Sequence, residues 1–69
     1  MLAKKIGQNL IRIREEKGVS VVTLAKAIAT PESRILQFEK GLKRPSPEEM
    51  LAICKVLNVN ISQLLDVGE

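Results

Sequence analysis

Residues 20–41 read SVVTLAKAIATPESRILQFEKG. Leu24, Ala25 and Ile28 recur at the three- and four-residue spacing of a helix's inner face, and Ser20 stands where its N-cap belongs. Thr30-Pro31 predicts a restart, since a proline in the first turn gives up an N–H that has no intrahelical acceptor. Ile35 and Phe38 then make a second inner face, which Gly41 closes. Ala29 and Thr30 leave a link of only two or three residues between the two helices, and so short a link forces a sharp crossing. The later helix, of about nine residues, is about 13 Å long at about 1.5 Å per residue.

The same punctuation extends outward. Leu2, Ile6, Leu10 and Ile13 form a stripe that ends at Gly18, a natural left-handed cap. Downstream, Ser46-Pro47-Glu48-Glu49 combines an N-cap, a first-turn proline and the reciprocal glutamate of a capping box. Met50, Ile53, Cys54 and Leu57 follow as a buried side. Asn58 ends that helix, and Asn60 caps a last short one carrying Ile61, Leu64 and Leu65. No alternating strand pattern, repeat or linker interrupts the series. An all-α fold is expected, with five short helices around one core and a single domain over residues 1–69. At 69 residues there is no room for a second core, and 22 Leu, Ile or Val residues are too many for a disordered chain.

Several chemistries are excluded. The absence of histidine removes Ser-His-Asp and Cys-His catalysis and imidazole metal ligation, and the lone Cys54 cannot close an internal disulfide. Cys54 reads as a buried, inert thiol rather than a redox sensor. The four glycines are isolated, so no phosphate-cradling loop is present, and the single aromatic, Phe38, cannot build a stacking platform. Glu15/Glu16 and Glu48/Glu49 are adjacent pairs that point apart on a helix. No enzyme, metal or cofactor is expected. No uncharged stretch reaches the roughly 18 residues of a membrane span, and MLAKKIGQ has no apolar run behind its lysines, which points to a cytoplasmic protein.

Charge is the first positive signal. The chain carries +3 overall, but residues 1–44 hold ten Lys/Arg against four Asp/Glu, whereas residues 45–69 hold one Lys against four acids. A basic amino-terminal part fits a polyanion partner, and it equally fits a merely solvated surface; charge alone leaves both open. A helix about 13 Å long also fits the DNA major groove, about 12 Å wide.

IGQNLIRIREEKGVS, TLAKAIATPESRILQFEKG and RPSPEEMLAICKVLNVNISQLL together resemble the Cro and phage-repressor helix-turn-helix domains, the xenobiotic-response-element family with its lambda-repressor-like fold. The resemblance spans residues 6–65 and rests on Ile6-Gly7, Leu10, Arg14, Gly18, Ser20, Leu24-Ala25, Ile35, Glu39, Gly41, Pro45, Leu57 and Leu64-Leu65. It implies a five-helix domain that binds operator DNA, usually as a homodimer. It also implies an ion pair between Arg14 and Glu39, physically reasonable because a partly buried carboxylate needs a bidentate donor. Glu32, Ser33 and Gln37 then occupy base-facing positions, with Arg34 and Leu36 alongside. Gln reads adenine, Glu accepts from cytosine N4, Leu touches a thymine methyl, and Arg holds guanine or phosphate. Phosphate contacts are expected from the backbone around Ser20 and Val21 and from Lys40, Lys43 and Arg44, with Thr23 and Lys26 as weaker candidates.

The chain departs from the family's pattern in places. Val21 replaces a polar residue, Pro31 and Leu36 stand where small polar side chains are usual, and Ala29 replaces the turn glycine, so a turn without positive φ is expected there. Ile11, Val21, Val22 and Leu36 together form apolar surface that fits a protein partner. Two functions follow from the residues and the resemblance: a dimeric, sequence-specific transcriptional regulator, expected to be a repressor on double-stranded DNA, or a module of the same fold whose third helix binds a regulatory protein. For the dimer, Val59, Ile61, Leu64, Leu65 and Val67 are expected to exceed what one small core covers and to supply a two-fold interface.

Overall fold

Four of the chain's helix ends share one solution to the problem of unsatisfied carbonyls. At each, a residue in the left-handed region lets two successive N–H groups fold back onto the last turn. Gly18 and Val19 donate to Glu15 and Arg14, Ala29 and Thr30 to Lys26 and Ala25, Gly41 and Leu42 to Phe38 and Gln37, and Asn58 and Val59 to Lys55 and Cys54. These reversals cut the computed structural model, which describes residues 2–65, into α1 (Leu2–Glu16), α2 (Val21–Ala27), α3 (Glu32–Glu39), α4 (Pro47–Leu57) and α5 (Ile61–Leu65). Among the described residues there is no strand.

The starts are equally local. The Ser20 hydroxyl accepts from the Thr23 N–H at 3.0 Å, and Ser46 and Glu49 form the reciprocal capping box. At α5 the Asn60 N–H donates to the Gln63 side chain at 2.9 Å. Two boundaries differ from expectation. Pro31 is the N-cap of α3, with φ −67° and ψ 148°, and not part of its first turn. The link from α2 to α3 therefore runs over four residues, 28–31, and α3 has eight.

Ile6, Leu10, Ile13, Leu24, Ala25, Ile35, Phe38, Met50, Ile53, Cys54, Leu57 and Leu64 form the core. Leu64 is 1% exposed. It was expected at a dimer interface, but α5 is too short to turn more than one leucine fully inward, and Leu64 is that one. Val59, Ile61 and Leu65 pack partly buried against the core, whereas Val67 lies outside the described residues. Two contacts position α3 and α5 on α1. Gly7 faces α3 so closely that a Cβ there would collide with the Phe38 carbonyl oxygen and lie 2.7 Å from that of Glu39. Buried Asn9 donates through Nδ2 to the Leu64 carbonyl at 2.8 Å, capping the end of α5.

Ala29 adopts φ 55°, against the expectation that an alanine would avoid the left-handed region. The two backbone bonds that end α2 require that conformation, and they outweigh the steric cost of a Cβ, about 1–2 kcal/mol. Ala29→Gly should therefore raise stability by about 0.5–1 kcal/mol in urea denaturation, the relief of strain being partly offset by the entropy of an unfolded glycine. An unchanged or lower midpoint would show that the strain relieved is no larger than the entropic cost of an unfolded glycine.

Candidate nucleic-acid interface

Ile35 and Phe38 are fully buried, so the opposite side of α3 must face solvent. Glu32, Ser33, Leu36 and Gln37 lie there, all exposed. The expected phosphate-facing side chains surround this face at the surface: Ser20, Thr23 and Lys26 on the α2 side, and Lys40, Lys43 and Arg44 in the turn after α3, are exposed. The Ser20 hydroxyl is occupied at the cap and donates to the Thr23 hydroxyl at 2.9 Å. Val21 is half-buried and packs against the core, while Val22 and Leu36 remain 41% exposed. A second close approach holds the basic turn in place, since a Cβ on Gly41 would lie 2.8 Å from the Lys4 Cα.

Arg34 was expected on the exposed side of α3, and the structure places it half-buried with its side chain turned to α4. Its Nε donates to Glu49 Oε2 at 2.6 Å and its Nη2 to Oε1 at 3.0 Å, and the guanidinium lies 5.2 Å from the centroid of the Phe38 ring. Glu49 Oε1 also accepts from the Ser46 N–H at 2.8 Å. Three donors on one carboxylate stabilise its charged form, and the Arg34 bonds first of all hold the Glu49 pKa down at about 2. The same bond raises the pKa of Arg34, so the pair is ionised at any physiological pH. Burial pushes the Cys54 thiol up, away from the reactive thiolate. Among the described residues no cluster of metal-ligating side chains occurs, and no helix is long and apolar enough to cross a membrane.

A family model described as Helix-turn-helix matches residues 10–64. The chain belongs to that family. Its members of the Cro and phage-repressor type are DNA-binding domains of transcriptional regulators. This helix-turn-helix chain is 31% identical over 61 residues to an HTH-type transcriptional regulatory protein of Methanothermobacter thermautotrophicus, covering 88% of its own length but only 20% of that relative. Among solved structures it is similar to the clp gene regulator ClgR of Corynebacterium glutamicum, with a TM-score of 0.91, 28% identity, and coverage of 94% of this chain and 69% of that one. The restriction-modification controller protein C.AhdI of Aeromonas hydrophila gives a TM-score of 0.84 at 29% identity, covering 90% of this chain and 94% of the other. The biofilm regulator SinR, solved in complex with DNA, gives 0.82 at 34% identity, covering 88% and 98%.

In this helix-turn-helix domain α1 and α3 are tied by an ion pair in which Arg14 Nε donates to Glu39 Oε2 at 2.7 Å, with side chains only 14% and 8% exposed. The contact is a single hydrogen bond and not the bidentate one expected, and Arg14 Nη1 donates to the Val19 carbonyl at 2.9 Å. One guanidinium thus fixes both α3 and the turn that leads into α2. Gly7, Asn9 and the Arg34–Glu49 bridge carry structural roles that the sequence reading did not assign. Asn9 was detectable in principle, since it falls between Ile6, Leu10 and Ile13 on the inner face of α1. Arg14→Ala should cost about 3 kcal/mol, leaving the Glu39 carboxylate and the Val19 carbonyl without their donor. Thermal or urea denaturation of Arg14→Ala, Glu39→Ala and the double variant checks this. The double variant should be no less stable than the worse single one; simple additivity would mean that the pair is uncoupled.

Proposed function

We propose that the domain is a sequence-specific DNA-binding module of a transcriptional regulator, acting as a repressor by occupying operator DNA with α3 in the major groove. One observation carries the reading: Glu32, Ser33, Leu36 and Gln37 are exposed together on an eight-residue helix whose position the ion pair and the close helix contact fix, beside the cations Lys40, Lys43 and Arg44. Gln37 and Ser33 offer donors and acceptors to base edges, Leu36 a methyl contact, and Glu32 an acceptor for cytosine N4. Lys40, Lys43, Arg44, Lys26, Thr23 and the backbone at Ser20 and Val21 address phosphates. Solution of SinR with DNA supports the reading by analogy. The setting is the cytoplasm, where such DNA is available.

The active form is proposed to be a homodimer, with half-buried Val59, Ile61 and Leu65 contributing to a two-fold interface and placing two copies of α3 about 34 Å apart on one face of DNA. Sedimentation at tens of micromolar should find a dimer, and a strict monomer removes this claim. A second reading rests on Val22 and Leu36, exposed at 41% each, and is a protein partner on the same face; SinR is also known as a SinR/SinI protein complex. Salt separates the two, because phosphate contacts weaken steeply with salt and an apolar contact does not.

Lys43→Ala and Arg44→Ala should weaken binding to all DNA alike and each lower the slope of log affinity against log salt by about one. Gln37→Ala should instead cost about 1–3 kcal/mol on the cognate site and little on random DNA. Glu32→Gln should raise non-specific affinity while relaxing one base-pair preference, since a carboxylate near phosphates is repelled. Fluorescence anisotropy over a salt series measures all four. DNA binding untouched in every variant, with loss of a protein contact instead, would favour the second reading.

A further inference from the structure

We infer that Glu49 is a positioning residue for base recognition: by holding one edge of the Arg34 guanidinium, it presents the opposite edge to a guanine in the major groove. The inference rests on the DNA reading above and assigns Arg34 its base class. A guanidinium has two edges with paired N–H groups, one formed by Nε and one terminal nitrogen, the other by the two terminal nitrogens. Glu49 takes the first, through Nε at 2.6 Å and Nη2 at 3.0 Å. What remains is the end-on edge, Nη1 with the second N–H of Nη2, and its spacing matches O6 and N7 of guanine.

The carboxylate is itself immobilised. Its Oε1 also accepts from the Ser46 N–H in the capping box that starts α4, so the support belongs to a different helix from the reader. The Phe38 ring restrains the guanidinium from a further side, at 5.2 Å. With 35% of its surface exposed, the Arg34 side chain still reaches solvent, and its neighbours Ser33 and Gln37, proposed above to meet base edges, are exposed. Such fixation removes most of the rotamer entropy that an arginine otherwise loses on binding. It also favours a base over a phosphate as the target. A phosphate is held well by an unsupported cation, and Glu49 cancels much of the charge that such a contact would use.

The test compares DNA selected from a random pool by the unaltered protein, Glu49→Gln and Arg34→Lys, with melting curves and salt slopes for each. Glu49→Gln keeps an amide oxygen for the capping box, but its amide nitrogen opposes the Arg34 Nε–H and breaks the fork. The unaltered protein should enrich guanine at one position. Glu49→Gln should lower that preference roughly tenfold while leaving other positions unchanged, and should raise affinity for random DNA with a steeper salt slope. Arg34→Lys should lose the preference as well, because a point charge cannot replace the fork. A merely structural role would lower the melting temperature and weaken every position alike, and that result overturns the inference, as does an unchanged guanine preference in Glu49→Gln. Should Glu49→Gln fail to fold, retention of the preference in Arg34→Lys overturns it. If the unaltered protein enriches no sequence, the DNA reading itself falls; enrichment without a guanine that depends on Arg34 sinks only this inference.

Discussion

The placement of α3 depends on how near α1 can come to it. Lys4, Gly7 and Arg14 lie on one side of α1 at three- and seven-residue spacing, and each meets the carboxyl-terminal half of α3 or the turn after it. At Gly7 the missing side chain lets the α1 backbone rest against the Phe38 and Glu39 carbonyls. That approach brings Arg14 within reach of Glu39, and the ion pair then fixes the rotation of α3 about its own axis. The rotation matters because it decides which residues are outside. With Ile35 and Phe38 held inward, Ser33, Leu36 and Gln37 have no choice but to face solvent. A side chain at position 7 would push α3 away, leave Glu39 short of its donor and turn the exposed face together.

The helix ends share one construction. Each of the four reversals is built from a left-handed residue and two backbone bonds. Glycine or asparagine fills that position in three of the four cases, both tolerant of positive φ. Ala29 is the exception, and it sits in the turn between α2 and α3. Its strain stays because Thr30 and Ala25 close the last turn of α2 at 2.9 Å, and releasing it would also release α3.

What could be read from the sequence divides along the range of the interaction. Helices, caps and inner faces were legible because Ser20, Gly18, Gly41, Ser46-Glu49 and Asn58 act within four residues of themselves. Ala29 is not legible in this way, because its own preference opposes the pair of backbone bonds that constrain it. The position of Arg34 was unreadable for another. Its partner lies 15 residues away on a different helix, and Glu49 already had a complete local explanation in the capping box. Leu64 could not be separated from Ile61 and Leu65 either, since a five-residue helix is too short for a spacing to select one face. The exposure of Glu32, Ser33, Leu36 and Gln37, by contrast, needed only the two buried residues that oppose them.

These pairings also shape the charge that the face presents. The arginines Arg14 and Arg34, both within the basic amino-terminal part of the chain, are each committed to a carboxylate: Arg14 to Glu39 at 2.7 Å, Arg34 to Glu49 at 2.6 Å. The pairs remove two positive charges from the count of mobile cations, yet they also silence two carboxylates that would otherwise repel a polyanion from the edges of α3. On α3 itself that leaves Glu32 as the exposed acid, in the first turn, where the helix dipole favours a negative charge. The exposed cations Lys40, Lys43 and Arg44 then lie at the other end of the helix. The face is therefore polarised along α3, acidic at its amino end and basic just past its carboxyl end. A polyanionic groove met by such a helix attracts the basic turn first and tolerates Glu32 only where a base donor answers it. On the DNA reading proposed above, the two ion pairs leave Glu32 as the exposed acid of α3 itself, the side chain through which repulsion would discriminate between sequences.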